Sequence, residues 1–388
     1  MKTINTITNT IKNLLMLQKV FGYGTVKAQH HYNLLKEQNL INEPIGILVT
    51  KLKTDDKSLM ALKNFNTGFI DKVLNDCIDN NIDIIPICCD DYPEILKNIF
   101  QPPLILFVKG KLPDFDNNPS ICIVGPRKSS EYGKKAAFSL GYRMAKAGMI
   151  VVSGGALGCD SQVHRGALRA NGKTVAVLGC GLLNDYLPQN MHLRQEISKN
   201  NCIISEFPPY APVTKYSFPI RNRILSGLCD ATVVVEASMK SGALSTARHA
   251  TEQGREVFVI PGNPSLECYK GSNNLLRDGA HPLIDSLDIF NEYLLHYPDR
   301  LDIQRAFEKE ECIIKKDTSK NNKNFQKKST EGLSKEAKIV YNNLNKQQFT
   351  ADEIFCENIS DDDMLSALTE LEIEHYIKAI PGGSYIII

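Results

Sequence analysis

No stretch of this 388-residue chain approaches the roughly 18 consecutive apolar residues that a membrane span requires. The secretory pattern of a basic start followed by a short apolar run is missing too, so a cytoplasmic location is expected. None of the 11 cysteines forms a C-x-x-C pair, which argues against a structural zinc site. They are scattered, and those in apolar runs, such as Cys122 and Cys202, suit the role of small hydrophobes in a reduced compartment. Neither G-x-G-x-x-G after the first strand of the central region nor a Walker A loop is present, and no cofactor is expected. Net charge is also small, at +1, but it conceals an asymmetry. Residues 120–285 hold 19 Lys/Arg against 12 Asp/Glu, a net of +7, whereas residues 331–388 hold 4 Lys and no Arg against 11 Asp/Glu, a net of −7.

What is present suggests two or three domains. Residues 1–80 read as helical. Within them Val20-Phe-Gly-Tyr-Gly-Thr-Val-Lys-Ala28 places two glycines in a tight turn between helices. That is either a helix–hairpin–helix or SAM-like module, whose amides can meet a phosphate, or a plain interhelix turn. Residues 81–305 begin with short strands, the last at Leu104–Val108, expected at the edge of a sheet. Apolar strands then recur at Ile121–Val124, Ile150–Val152, Thr174–Leu178, Cys202–Ile204, Ala231–Val235 and Val257–Ile260. Helical patterns fall between them at Glu131–Ala147, Ser161–Ala170, Met191–Ser198 and Gly242–Gln253. Apolar strands alternating with helices imply an α/β fold, a Rossmann-like doubly wound parallel sheet covered on both faces. Residues 306–333 are rich in Lys and Asn and read as a flexible linker. Residues 334–388 pattern as three helices, capped at Ser334, Thr350 and Ser360, and a hairpin turning at Pro381–Ser384, which looks like a winged helix. Its third helix is acidic, so duplex DNA binding by this unit is not expected.

Ligands of doubly wound sheets bind beyond the C-terminal strand ends. There the sequence places Gly125-Pro-Arg127-Lys128, Ser153-Gly154 with Gly158, Gly179-Cys-Gly181 and Lys240-Ser241-Gly242. Glycines let a backbone approach a ligand, and each loop opens a helix whose N-terminus favours an anion. A further stretch stands out: Lys215-Tyr-Ser-Phe-Pro-Ile-Arg-Asn-Arg-Ile224 has three cations, two aromatics and no acid. Phosphates would meet Lys215, Arg221 and Arg223, and Phe218 would stack on bases at about 1–3 kcal/mol each. Alternatively Tyr216 and Phe218 are core residues and the cations are solvated. Asn222 either contacts a base or phosphate or braces the loop.

These segments, with Asp91-Tyr-Pro, Pro102-Pro-Leu-Ile-Leu-Phe-Val-Lys-Gly, Ile123-Val-Gly-Pro-Arg, His164-Arg-Gly-Ala-Leu, Ser205-Glu-Phe-Pro, Phe218-Pro-Ile-Arg-Asn-Arg and Pro261-Gly, occur in an order that resembles the DprA/Smf family of DNA-processing proteins over about residues 90–285. The resemblance implies a single-stranded DNA binder that dimerises, protects incoming DNA and loads the RecA recombinase in natural transformation, without being an enzyme. It places phosphate contacts on Gly125–Arg127, a cation and an aromatic at the DNA on Lys215 and Phe218, followed by Arg221 and Asn222, and a basic loop on Lys240–Gly242. Two residues depart from the family pattern. Pro126 stands where Ser or Thr is usual and supplies neither hydroxyl nor amide donor. Leu157 replaces a frequent Arg. A homodimer surface is expected around Leu275, Leu276 and Leu283.

An enzyme needs a nucleophile, base or metal set, and Asp160, His164 and Glu236 are the candidates. Asp160 is expected to cap a helix, His164 to be structural and Glu236 to anchor a loop. The competing reading is a phosphoribohydrolase-type enzyme on a related fold. Its P-G-G-x-G-T motif is absent, because Pro381-Gly-Gly383 falls in the expected hairpin of another domain. A duplex-reading transcriptional regulator is a third reading, opposed by the acidic third helix.

Overall fold

The computed structural model describes residues 2–307, 333–344, 348–350, 361–380 and 384–387. It divides into two compact units, Met1–Glu311 and Cys312–Ile388. Most of the expected linker lies outside the described residues. So do most of the expected capping box after Thr350, the cap at Ser360 and the turn at 381–383.

The first unit opens with α1 (Lys2–Phe21), α2 (Val26–Glu37), α3 (Ile45–Lys51), α4 (Asp56–Lys63) and α5 (Gly68–Asp79). Gly22 and Gly24 take φ of +97° and +59°, a left-handed conformation that makes the sharp turn between α1 and α2. Thr25 then caps α2 by accepting from the Ala28 amide. The Gly24 amide donates to the Glu206 carboxylate at 3.1 Å. The amide that the sequence offers to a phosphate is therefore used inside the protein.

The main sheet follows: β1 (Asp83–Pro86), β2 (Ile105–Gly110), β3 (Ser120–Val124), β4 (Ile150–Ser153), β5 (Thr174–Leu178), β6 (Cys202–Ser205), β7 (Ala231–Val234), β8 (Glu256–Val259) and β9 (His281–Pro282). Their order is β1-β2-β6-β5-β4-β3-β7-β8-β9. Pairing is parallel from β6 to β9 and antiparallel for β1–β2 and β2–β6. The strand expected at the edge, β2, is covered by β1 and is thus internal.

The connecting helices are α6 (Glu94–Lys97), α7 (Glu131–Lys146), α8 (Cys159–Arg169), α9 (Met191–Asn200), α10 (Ser217–Gly227), α11 (Ala243–Glu252), α12 (Lys270–Arg277), α13 (Ser286–Tyr293) and α14 (Ile303–Phe307). Strand residues alternate between two cores. Ile121, Ile123, Val151 and Val233 pack with α7, α8 and α13. Cys122, Val124, Val152 and Val234 pack on the other side, in a cluster that includes Leu14, Leu17, Leu35 and Leu48. Those four leucines are fully buried, each contributing about 1.5–3 kcal/mol. The N-terminal helices thus belong to the same hydrophobic core as the sheet.

From β3 the chain winds outward through β4, β5 and β6, then returns to place β7 on the other side of β3. The carboxyl ends of β3 and β7 therefore form the topological switch point, where a crevice opens.

The second unit contains α15 (Lys335–Asn343), β10 (Gln348–Thr350), α16 (Asp361–Ile373), β11 (Ile377–Ile380) and β12 (Ser384–Ile387). The strands form an antiparallel sheet in the order β10-β12-β11. Val340, Tyr341, Leu368, Leu371 and Ile377 form its core. The expected hairpin is present. Thr350 ends a strand that the sequence reading did not anticipate. Glu370, one of the acids of α16, accepts from the Ser334 amide and hydroxyl at 2.7 and 2.6 Å, which ties the start of α15 to α16.

Candidate nucleic-acid interface

The cation-rich stretch is mostly a helix, α10, which the sequence reading did not assign. Pro219 falls in its first turn, where a missing N–H breaks no helical bond. Ile224, Leu225 and Leu228 are buried and hold the helix to the core. Helical geometry then separates neighbours in sequence. Phe218, Arg221, Asn222 and Leu225 share one stripe at i, i+3, i+4 and i+7, and Arg223 points elsewhere.

That stripe forms one wall of a pocket of about 380 Å³. Gly125, Pro126 and Arg127 after β3, Ala156 and Asp160 around the start of α8, and Ser238, Ser241, Gly242 and Thr246 after β7 complete it. The pocket lies at the switch point, where the sheet topology requires a crevice. The Arg127 guanidinium is exposed and lies over the Phe218 ring at 4.7 Å and the Tyr186 ring at 6.0 Å. The two rings are 5.5 Å apart, and Arg221 stands 5.9 Å from Phe218. Such cation–π contacts contribute about 0.5–1 kcal/mol at exposed sites and fix the guanidinium in place. Phe218 is half-buried and rests on Gly179, where an added Cβ would come within 3.0 Å of the ring.

Arg221 is the buried cation of the pocket. It donates from Nη1 to the Val177 carbonyl at 2.8 Å, and its Nε has no partner. Burial lowers its proton affinity, and the Asp160 carboxylate opposes that shift. Burial raises the Asp160 carboxyl, against the pull of Arg221 and a 3.3 Å bond from the Ala156 amide. Asn222 donates to the Gly242 carbonyl at 3.3 Å and so ties α10 to the loop before α11.

Of the expected site residues, Gly125, Arg127, Phe218, Arg221, Asn222, Ser241 and Gly242 meet around this pocket. Lys128, Lys215 and Lys240 are exposed on adjoining segments and do not line it. Lys215 lies over its neighbour Tyr216 at 4.9 Å. Ser153 is buried and donates to the Ile123 carbonyl at 2.7 Å. Three expected glycines make room for protein atoms. A Cβ on Gly125 would stand 2.5 Å from Cys159 Sγ, one on Gly154 would stand 2.0 Å from Arg221 Nη1, and one on Gly158 would stand 2.3 Å from the Arg127 carbonyl. Arg223 is turned away from the pocket and pairs with Glu206 at 2.6 Å, both side chains being buried. Ser241 accepts from the Ala243 amide at 3.3 Å.

The three enzyme candidates are engaged inside the fold. Glu236 is fully buried and accepts from the Ser130 amide at 3.1 Å, the Ser130 hydroxyl and Tyr269 at 2.9 Å. It thereby anchors the start of α7. His164 is fully buried with Nδ1 2.8 Å from Thr174 Oγ1, and Thr174 donates onward to the Val151 carbonyl at 2.9 Å. The Thr174 hydroxyl has one proton, so His164 donates from Nδ1. Among the described residues no group of three or more His, Cys, Asp or Glu is placed to hold a metal ion. At Pro126 the carbonyl accepts from the Cys159 amide at 3.2 Å and from Ser129 at 2.9 Å, so the nearby hydroxyl is already committed. Of the expected dimer residues, Leu283 is 4% exposed and part of the core, while Leu275 and Leu276 are half-buried. Tyr186 was not anticipated. The available signal was an aromatic in the polar loop Asn184-Asp-Tyr-Leu-Pro188 after a strand end.

Among the described residues no helix is long and apolar enough to cross a membrane. The family model for DNA recombination-mediator protein A matches residues 83–294. The DNA processing protein DprA of Bacillus subtilis is 36% identical over 255 residues, 65% of this chain and 85% of that protein. The DprA of Streptococcus pneumoniae is 37% identical over 204 residues, 53% of this chain and 72% of that protein. Its X-ray structure superposes with a TM-score of 0.63 at 30% identity, covering 73% of this chain and 97% of that one. A structure of DNA processing protein A from Helicobacter pylori, described for its single-stranded DNA binding mode, gives a TM-score of 0.51 at 30% identity, over 56% of this chain and 99% of that one. With the model spanning more than half of its length, the chain belongs to the DNA recombination-mediator protein A family.

Proposed function

We propose that this protein binds single-stranded DNA without sequence preference, along the crevice between β3 and β7. One observation carries the reading. Arg127 is held on the faces of Phe218 and Tyr186 at the mouth of a pocket whose buried cation, Arg221, has only a neutral carbonyl as its direct partner. A fixed guanidinium beside a half-exposed ring meets a phosphate and a base together. Ser241, Gly242 and the start of α11 give a further place for an anion, with Lys128, Lys215 and Lys240 drawing the strand in. The H. pylori relative, whose description concerns single-stranded DNA, supports the same ligand class.

By kinship we extend the proposal to a cytoplasmic homodimer that protects incoming DNA and passes it to the RecA recombinase in natural transformation. In this reading residues 1–80 are a SAM-like module, and the acidic second unit is a winged-helix-like module that contacts protein. The protein acts by binding and not as a phosphoribohydrolase, since Glu236 is buried and spent on holding Ser130, the cap of α7, and Tyr269.

Gel shifts with single-stranded and duplex DNA test the reading. Arg127→Ala combined with Lys215→Ala is expected to weaken single-strand binding at least tenfold and to flatten its salt dependence by roughly 0.7 per lost phosphate contact. Thermal stability should hardly change, because both side chains are exposed. Unchanged affinity in this double variant would remove the site.

A further inference from the structure

α10 has a second flank. Tyr216, Ser217 and Ile220 line a separate pocket of about 500 Å³, within the first unit. Its other walls are the prolines and aromatics of 207–212 and the side chains of Lys19, Tyr23, Phe69 and Lys72 from the N-terminal helices and their turn. We propose that this pocket takes an unstacked nucleobase of the same DNA strand, so that the N-terminal helices contribute a subsite.

The walls are suited to a flat aromatic ligand. Tyr23 and Phe207 pack at 5.2 Å, while Tyr210 and Tyr216 keep 54% and 63% of their surface exposed at the rim. Open rings give bases a face to stack on, and beside a cationic groove they are how single-strand binders gain sequence-tolerant affinity. Pro208, Pro209 and Pro212 stiffen one wall and present no amide donor of their own. The cations select a phosphate-bearing ligand over a neutral peptide. Lys19 lies over Phe69 at 4.8 Å, Lys215 over Tyr216 at 4.9 Å, and Lys72 joins them, against one acid, Asp76. Continuity names the strand. Lys215 and Tyr216 lie just before α10, with Tyr216 at its N-cap and Phe218 in its first turn, so a strand leaving the crevice crosses Lys215 and meets Tyr216 at the start of the same helix.

The inference rests on the single-strand reading, and its test separates the two. Affinity is measured for oligothymidines of increasing length with the full chain, Arg127→Ala, the double variant Tyr210→Ala/Tyr216→Ala, and Tyr210→Phe/Tyr216→Phe. The wild-type affinity should rise with length and then level. The alanine double variant should level at a shorter length and bind the long oligomers on the order of tenfold less tightly. The phenylalanine pair should restore most of that affinity, and Arg127→Ala should weaken binding at every length. A fluorescent 2-aminopurine base walked along the oligomer should be quenched at one position in the wild type and recover its emission in the alanine variant. No wild-type binding at any length would end the single-strand reading and this one together. Wild-type binding that Arg127→Ala weakens, with a length profile unmoved by the alanine pair, would overturn the subsite alone and leave the pocket to a peptide.

Discussion

Arg221 and Arg223 lie two positions apart on α10, and each is only 5% exposed. One faces the crevice between β3 and β7. The other faces the junction where the turn between α1 and α2 meets the end of β6. At the junction the guanidinium finds a carboxylate, Glu206, at 2.6 Å, and Glu206 also accepts the Gly24 amide. Burial raises the Glu206 carboxyl, and Arg223 is the main influence holding it down. In the crevice the direct partner of Arg221 is a neutral carbonyl. Both arginines leave Nε without a partner, and Arg223 leaves Nη1 as well, so the difference between them lies in the charge of the partner and not in spare donors. Equal burial therefore means different things. A buried cation matched by a buried anion closes the structure at that point. A buried cation only partly matched, beside an open pocket, keeps capacity for an anion from outside.

Removing the matched arginine should give the largest effect. Arg223→Ala strands the Glu206 carboxylate in the core, and breaking a buried pair in this way costs about 3–5 kcal/mol. Urea unfolding should show that loss, while the protein that remains folded binds single-stranded DNA as before. A variant of normal stability with lost DNA affinity would exchange the roles of the two arginines.

His164 extends the comparison to a buried group with no anion at all. Burial, with a smaller push from the Arg221 charge, takes its pKa from 6.5 down to about 3. The unfolded chain therefore binds the extra proton first. Stability is complete above the unfolded value of 6.5 and is lost as pH falls from there toward 3, at up to about 1.4 kcal/mol per unit from this group. Urea midpoints between pH 7 and pH 4 measure the slope. His164→Asn keeps a donor for Thr174 but does not titrate, so its curve should be flatter. Equal slopes would show that His164 is not the group responsible.

The sheet was legible because its signal is local. Runs such as Thr174–Leu178 are apolar, β-branched and bounded by glycine, and that strand has the expected ends. The ends of β3 and β7 followed, and with them the position of the crevice. α10 was not legible, because Pro219 and the mixture of charges hide its period, and without the helix Arg223 looks equivalent to Arg221. The residues that settle the difference are remote: Glu206 is 17 positions from Arg223, and Gly24 is 182 from Glu206. The strand-end glycines were legible as close approaches, but what approaches differs. At Gly154 it is Arg221, and at Gly158 the backbone of 126–127, whereas Gly242 has no atom within 4 Å of its virtual Cβ.

That last contrast gives the smallest and sharpest expected effect. Gly154→Ala puts a methyl 2.0 Å from Arg221 Nη1 and 2.6 Å from Asp160 Oδ2. Overpacking of this kind costs about 1–3 kcal/mol, and the displaced Arg221 should weaken DNA binding with it. Gly242→Ala enters empty space at φ −62°, which any residue adopts, so stability should move by less than about 0.5 kcal/mol. If a phosphate or sugar lies against the start of α11, the same methyl occupies its place, and single-strand affinity should fall several-fold at unchanged stability. Normal affinity for Gly242→Ala would move the strand off that loop and confine the crevice to Arg127, Phe218 and Arg221.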